Sequence, residues 1–468
     1  MANTVDAIEG PPRKSSASDA VSETSSVIYY EEEPFATFQH KAHLLAQKQV
    51  WKDADKQDIT VERMLGGGYN RVIGLTRQYR EKPRLIKRIF DRLFPFSGWA
   101  EGKTREIPYI LRIPRFPEED VIDNVAANLF VRRHTKIPAP NVIMFDGSDK
   151  NEIGSPYMIQ NRVKGTSLHW VLSELSPEDK CQLAKELGSL VRQMLATRSD
   201  SGGKLALPEG GKTLKDPIHV IPFRQSSGKP FRRSNRQREE EVVEDLIDDA
   251  ILAWDKKEIT DRQLFVAKAD MLSKFRSMTI ELSRAGYFRN LHYTLAHLDF
   301  APRNILVDMT RCGTGRPLIS AVLDWDSAII GPSFMACSPP VWLWGRTREE
   351  EEEEERLKRE QDPTAKDVET PEWEMTYEVN PSLDPEEREL RQKLKQLFEE
   401  AAGPTYMRFA YEPAYQLARR LVRFLLEGLY TGEQWDAAEV MLAAWAALPH
   451  EPVVPERRNL CCPLPWNS

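Results

Sequence analysis

Nowhere in this 468-residue chain does an apolar run reach the roughly 18 residues needed to cross a bilayer as a helix, so no membrane partner is expected. Cysteine is scarce and unevenly spread: Cys181, Cys312, Cys337, Cys461 and Cys462. An odd number without framework spacing excludes a disulfide scaffold and points to free thiols in a reducing compartment. The neighbours Cys461 and Cys462 read as two ordinary thiols rather than a metal, redox or acylation site. Positive charge is not in excess either. The net charge of −7 argues against a nucleic-acid partner, which wants a basic face. The first residues have no apolar core of the signal-peptide kind and are rich in Asp and Glu, unlike a mitochondrial transit peptide. A cytoplasmic protein is expected.

What is present suffices for a core, since 41% of the residues are hydrophobic. Residues 1–28 are Ser-, Ala- and Asp-rich and read as a disordered tail. Tyr29 to Trp51 reads as a leading helix. Strand-like runs follow at Ile59-Thr60-Val61, Arg71 to Leu75, Tyr109 to Ile113, Val142 to Asp146 and Tyr157 to Gln160. Among them lies a helical stretch from Asp120 to His134, which ends before Ile137-Pro138-Ala139-Pro140 because proline cannot continue it. Leu168 to Leu175 and Pro177 to Thr197 are helical, the latter with Leu183, Leu187, Leu190, Val191 and Met194 along one stripe. Helix returns from Tyr406 to Leu448. Strands first and helices after predict an α+β protein, with a small sheet lobe over 29–160, a larger helical lobe over 161–450 and a tail over 451–468.

Two segments read as insertions. Residues 199–238 are rich in Gly, Pro and polar groups and end in the basic run Lys229 to Arg236. A solvated loop is the ordinary reading of that run, and substrate steering the alternative. Residues 347–400 are strongly charged and hold seven consecutive glutamates, Glu349 to Glu355. Such a run reads as a solvated helix or linker, with protein-partner docking as the alternative.

The chemistry concentrates in His297-Leu298-Asp299-Phe300-Ala301-Pro302-Arg303-Asn304 and, twenty residues past Asn304, Leu323-Asp324-Trp325-Asp326. One carboxylate can orient an attacking hydroxyl, while the Asn and a second Asp hold metal against a nucleotide's phosphates. Asp299 takes the first role, with Asn304 and Asp324 as the metal pair. This oxygen-only set favours Mg²⁺ over zinc. His297 reads either as a proton-transfer group or as a brace for the loop. The brace is favoured because Asp299 already supplies a proton acceptor. Asp326 reads as a second ligand, a helix N-cap or a surface residue.

Gly66, Gly67 and Gly68, followed by Tyr69 and Asn70, sit between two expected strands. Their backbone could cover phosphates or simply make a hairpin turn. They match neither the dinucleotide-binding pattern nor the P-loop, which ends Gly-Lys-Ser/Thr. Arg112 lies mid-strand among apolar neighbours and there needs an anion, from a phosphate or a helix carboxylate, unless its strand is an exposed edge.

In these pieces the chain resembles the aminoglycoside phosphotransferase superfamily, and most of all its fungal phosphotransferase-domain branch. They are Leu65 to Val72, Leu111 to Arg115, Ile137 to Pro140, Gly154 to Ile159, His297 to Asn304 and Leu323 to Asp326. The resemblance implies a protein-kinase-like two-lobed fold, with a small antiparallel-sheet N-lobe and a larger helical C-lobe. It also implies ATP and Mg²⁺ as cofactors and a small-molecule acceptor. Asp299 matches the catalytic aspartate, and Asn304 and Asp324 match the metal ligands. Arg112 takes the place of the phosphate-contacting lysine, and Gly66 to Gly68 match the nucleotide loop. Pro156 to Gln160 lead into the hinge where adenine would sit.

One position departs from the pattern. Fungal relatives typically read Glu-Val-Ala where this chain has Asn124-Val125-Ala126, so the helix glutamate that pairs with the small-lobe cation is missing. Asp123 is adjacent but turned by about 100° on a helix, and Glu118, Glu119 or Asp120 would serve only if the helix began differently. The expected function is an ATP-dependent small-molecule kinase, with a nucleotide-binding scaffold as the alternative. A protein kinase is less favoured, because no activation segment ending in Ala-Pro-Glu follows Asp324.

Overall fold

Successive residues of a strand face opposite sides, and the runs around Val72 and Leu111 carry apolar groups on both sides. They should therefore be covered twice. A computed structural model of the chain describes residues 33–64, 69–80, 104–116, 121–208, 210–223, 242–248, 250, 262–289, 291–345, 379 and 383–448. In it these runs lie inside a five-stranded antiparallel sheet. The strands are β1 (Ile59–Arg63), β2 (Asn70–Arg80), β3 (Thr104–Pro114), β4 (Val142–Asp146) and β5 (Tyr157–Asn161), in the order β1-β2-β3-β5-β4.

The two faces of this sheet differ in chemistry. Ile73, Leu75, Leu111, Ile113, Tyr157 and Ile159 pack against helix α1 (Phe35–Leu45) through Phe38, Ala42 and Leu45. Each fully buried aliphatic of this kind contributes about 1.5–3 kcal/mol of transfer free energy. The opposite face follows from the register, in which Val72 pairs with Arg112, Arg112 with Met158, and Ile110 with Gln160. Val72, Ile110, Arg112, Met158 and Gln160 thus share one side. Val72 and Ile110 close a small apolar cluster with Met64. Met158 joins the large core, which also takes Val121, Val125 and Leu129 of helix α2 (Val121–His134).

Beyond β5 the chain becomes mainly helical. A short strand β6 (Thr166–Ser167) precedes α3 (Leu168–Val171), which stops four residues short of the expected Leu175. Helix α4 (Pro177–Ala196) starts at Ser176, whose hydroxyl accepts from the Asp179 N–H at 3.1 Å. It buries the whole expected stripe of Leu183, Leu187, Leu190, Val191 and Met194.

Both presumed insertions are partly built into this lobe. In the first, β7 (Arg198–Ser199), β8 (Gly203–Ala206) and β9 (His219–Ile221) join a second sheet in the order β7-β10-β13-β8-β9. Its other members are β10 (Tyr293–Ala296) and β13 (Ile329–Pro332). Gly203 has φ +159°, and a Cβ there would strike the Ile221 carbonyl. A residue that reads as a loop signal is thus the one that lets two strands meet. After helix α5 (Arg262–Ala285) comes β10, and a third sheet of β6, β11 (Ile305–Val307) and β12 (Ile319–Val322) carries the catalytic-type segments. The second presumed insertion ends in helix α6 (Pro385–Ala402), which lies so close to α4 that a Cβ on Gly188 would meet the Phe398 carbonyl. Helices α7 (Pro404–Ala410), α8 (Pro413–Glu427) and α9 (Gly432–Ala447) complete the lobe, with Leu417, Leu421, Phe424 and Leu429 buried and Leu425 partly so.

No helix among the described residues is long and apolar enough to cross a membrane. The tails 1–28 and 451–468, Gly66 to Gly68, Glu118 to Asp120, Lys229 to Arg236, Glu349 to Glu355 and the Cys461-Cys462 pair lie outside the described residues.

Candidate functional site

Strand β10 ends at Ala296 and delivers His297 into a loop whose far end is a single 3₁₀ turn over Pro302–Asn304. Strand β12 ends at Val322, one residue before Leu323-Asp324. Backbone and histidine tie the two ends together. The Leu323 N–H donates to the Asn304 carbonyl at 2.7 Å. His297 Nε2 lies 2.8 Å from the Leu323 carbonyl; a carbonyl only accepts, so Nε2 carries the proton. The unprotonated Nδ1 accepts from the Asp299 N–H at 3.1 Å. Its ring also packs on Trp325, centroid to centroid 4.6 Å. Both nitrogens are engaged within the protein, and burial pushes the ring's pKa below the usual histidine range. In this geometry His297 ties the loop that bears Asp299 to the turn that bears Asp324.

The brace leaves Asp299 at the mouth of the loop. Its Oδ1 accepts from the Arg303 guanidinium, and its Oδ2 accepts from Asn304 Nδ2 at 2.7 Å. The same Nδ2 donates to the Asp299 carbonyl at 2.9 Å. With its amide hydrogens so engaged, Asn304 keeps Oδ1 as its remaining acceptor.

Asp324 is the only described non-glycine residue with positive φ, at φ 61° and ψ 54°. A left-handed non-glycine costs about 1–2 kcal/mol. The buried Trp325, whose Nε1 donates to the Val322 carbonyl at 3.0 Å, helps hold the turn. The strain turns Asp324 out, and its side chain is 43% exposed.

Two residues on, Asp326 is only 19% exposed. It receives Arg112 through two nitrogens, Nη2 to Oδ2 at 2.6 Å and Nη1 to Oδ1 at 3.4 Å. Asn70 Nδ2 approaches the same Oδ2 at 3.3 Å. Arg112 Nη2 also reaches Asp324 Oδ1 at 3.1 Å. Burial pushes the Asp326 carboxyl up to about 6, against the pull of the Arg112 guanidinium. Of the readings open for Asp326, the structure thus chooses a fourth: it is the partner of the small-lobe cation. Arg112 is no edge-strand surface residue either, since β3 lies between β2 and β5.

The structure therefore joins His297, Asp299, Asn304, Asp324, Arg112 and Asn70 in one bonded network and places Gln160 on Arg112's face of the sheet. Tyr69 is exposed, edge-on to Phe116 at 6.1 Å. Asn124 is buried on α2. Arg303 is the member that sequence reasoning did not single out, and its signal was its place four residues after Asp299; Asp326 was named, but not as the partner of Arg112.

Two observations bear on what the site can hold. No cluster of three or more His, Cys, Asp or Glu side chains suited to a metal occurs among the described residues. Asn304 Oδ1 and the exposed Asp324 carboxylate nonetheless suit magnesium, which takes one or two protein oxygens and completes its shell with phosphates and water. Gln160 Oε1 is buried without a hydrogen-bond partner. An unpaired buried acceptor is costly, and here it lies on the face shared by Ile110 and Val72, where a planar base bearing an N–H could satisfy it.

The model of the phosphotransferase enzyme family matches residues 97–368, more than half of the chain. Among solved structures, the chain is similar to a thermostable aminoglycoside phosphotransferase mutant in ternary complex with AMP-PNP and hygromycin B. Identity there is 14%, coverage 87% of this chain and 97% of that one, and the TM-score 0.38. An aminoglycoside phosphotransferase in complex with GDP and kanamycin aligns at 14% identity, over 86% and 98% of the two chains, with a TM-score of 0.41. A Plasmodium vivax ethanolamine kinase aligns at 13% identity, over 87% of each chain, with a TM-score of 0.39. No curated protein matches the chain.

Proposed function

The chain belongs to the phosphotransferase enzyme family, and from that premise we propose that it transfers a phosphoryl group from ATP to a hydroxyl of a small-molecule acceptor. The observation that carries this reading is the Asp299 carboxylate, gripped by Arg303 and Asn304 and locked through His297 to the turn that bears Asp324. In the step, the acceptor oxygen attacks the γ-phosphorus as the bond from that phosphorus to the β,γ-bridging oxygen breaks. ADP leaves with the electron pair, and the hydroxyl proton passes to Asp299. When bound between Asn304 and Asp324, magnesium neutralises charge on the phosphates. Arg112 faces those phosphates, Asn70, Tyr69 and Gly66 to Gly68 cover them, and Gln160 meets the base. Residues 29–160 act as the nucleotide lobe and residues 161–450 as the acceptor lobe of a cytoplasmic enzyme. The acidic segment is open to a protein partner.

A binding-only scaffold was suggested by Asn124 standing where the pairing glutamate is expected. Arg112 has two carboxylates from the Asp324-Trp325-Asp326 turn instead, which weighs against that alternative.

The test is turnover of ATP with Mg²⁺ over a panel of hydroxyl acceptors. Asp299→Asn should lower kcat by about 10²–10⁴-fold, the range of a lost general base, while MgATP affinity stays close to the parent's. Equal turnover in the variant would remove Asp299 from the chemistry. Nucleotide binding without turnover in the parent would favour the scaffold.

A further inference from the structure

Arg112 belongs to the small lobe and is held by carboxylates of the large one. Its strand belongs to the small sheet, yet Asp324 and Asp326 sit on the turn after β12, 212 and 214 residues away in sequence. The two carboxylates hold it differently. Asp324 touches it through one nitrogen, whereas Asp326 meets both terminal nitrogens in a fork, the geometry that fixes a guanidinium's orientation as well as its position. Asp326 also takes Asn70, the first residue of β2, directly after the glycine loop. Asp324 is the exposed member of the pair and Asp326 the enclosed one.

We propose that Asp326 is the positioning residue of the small lobe. It anchors Arg112 toward the nucleotide phosphates and ties Asn70, the first residue of β2, to the turn carrying Asp324. The inference rests on the phosphotransferase reading above. It divides labour within Asp324-Trp325-Asp326: the first aspartate, the more exposed and held by one nitrogen of the arginine, presents its carboxylate to metal, while the second retains the arginine through both. Removing the Asp326 carboxylate takes away the forked contact and leaves Arg112 its contact with Asp324, the group that would also take metal.

Titration of full-length protein with ATP, with and without Mg²⁺, tests this in the parent, Asp326→Asn, Asp326→Glu, Asp324→Asn, Arg112→Ala and the Arg112→Ala/Asp326→Asn double variant. Asp326→Asn should weaken ATP binding by about tenfold, the scale of one charge-assisted hydrogen bond. Asp326→Glu, which keeps the charge, should recover most of that loss. In the Arg112→Ala background Asp326→Asn should change nothing further, because it acts through the arginine. Asp324→Asn should instead abolish the gain in affinity that Mg²⁺ brings. The proposal is overturned if Asp326→Asn binds ATP as tightly as the parent, or if its loss is undiminished without Arg112. It is also overturned if Arg112→Ala leaves the magnesium response of Asp326→Asn as weak as that of Asp324→Asn, since Asp326 would then be a metal ligand. A parent that binds no nucleotide brings down the phosphotransferase reading itself and this inference with it, an outcome distinct from the other three.

Discussion

The two faces of the small sheet are built from the same five strands and serve different ends. The α1 side is dominated by apolar side chains: Ile73, Leu75, Leu111 and Ile159 are almost wholly out of water, and Arg71 reaches α1 by stacking over the Phe38 ring. The other side carries Val72 and Ile110 beside an arginine and a glutamine, with the Arg112 charge met by Asp326 across the cleft. A polar group in such a place lowers stability unless it is satisfied. The first face therefore holds the fold, and the second trades stability for a site.

Variants on the two faces should separate these roles. Leu111→Ala should lower unfolding free energy by about 2–5 kcal/mol, the cost of a large-to-small change in a closed core, as read by urea denaturation. The surviving folded fraction should keep its ATP affinity. If stability hardly moved and nucleotide binding collapsed, the division between faces would be wrong.

A middle-sized effect should come from His297, the large-lobe brace. Its folded pKa lies below the ordinary value, so the unfolded chain takes up a proton near pH 6.5 that the folded chain refuses. Stability should therefore fall as pH drops from about 6.5 toward the folded value, by at most about 1.4 kcal/mol per pH unit. Asp326 pulls the other way: raised to about 6, it favours the folded state below the ordinary carboxylate pKa near 4 and loses that contribution as pH rises to 6. Comparing unfolding midpoints at pH 5.5 and 7.5, the parent should lose more stability in acid than His297→Gln. Equal losses would mean that the ring is not held neutral.

The smallest effect should be at Gln160. Replacing an unpaired buried amide with Leu should leave stability within about 1 kcal/mol, or raise it slightly, yet weaken ATP binding in the same titration. Unchanged binding would show that the orphaned Gln160 oxygen does not face the base.

The same contrast explains what could be read from the chain beforehand. Strands β1 to β5 and the stripe on α4 follow from local periodicity, which tertiary contacts only reinforce. Family resemblance located Asp299, Asn304 and Asp324, and the structure brings them together, because their spacing lies within two short segments. Asp326 resisted because its partner is 214 residues away and nothing in its neighbours reveals it. Strand β8 lies within a segment that reads as an insertion, because Gly203, which allows the close approach to Ile221, is also a residue type that marks turns. Helix α6 was hidden in a charged segment, where only Leu394, Phe398 and Ala402 mark the face buried against α4.

In the proposed function Asp324 and Asn304 form a metal-dependent nucleotide site across from Arg112. Calorimetric titration of ATP into the parent and into Asp324→Asn, each with and without Mg²⁺, tests it most directly. Magnesium should tighten binding to the parent and leave the variant's weaker binding unchanged. A variant that gains as much from magnesium as the parent would contradict it.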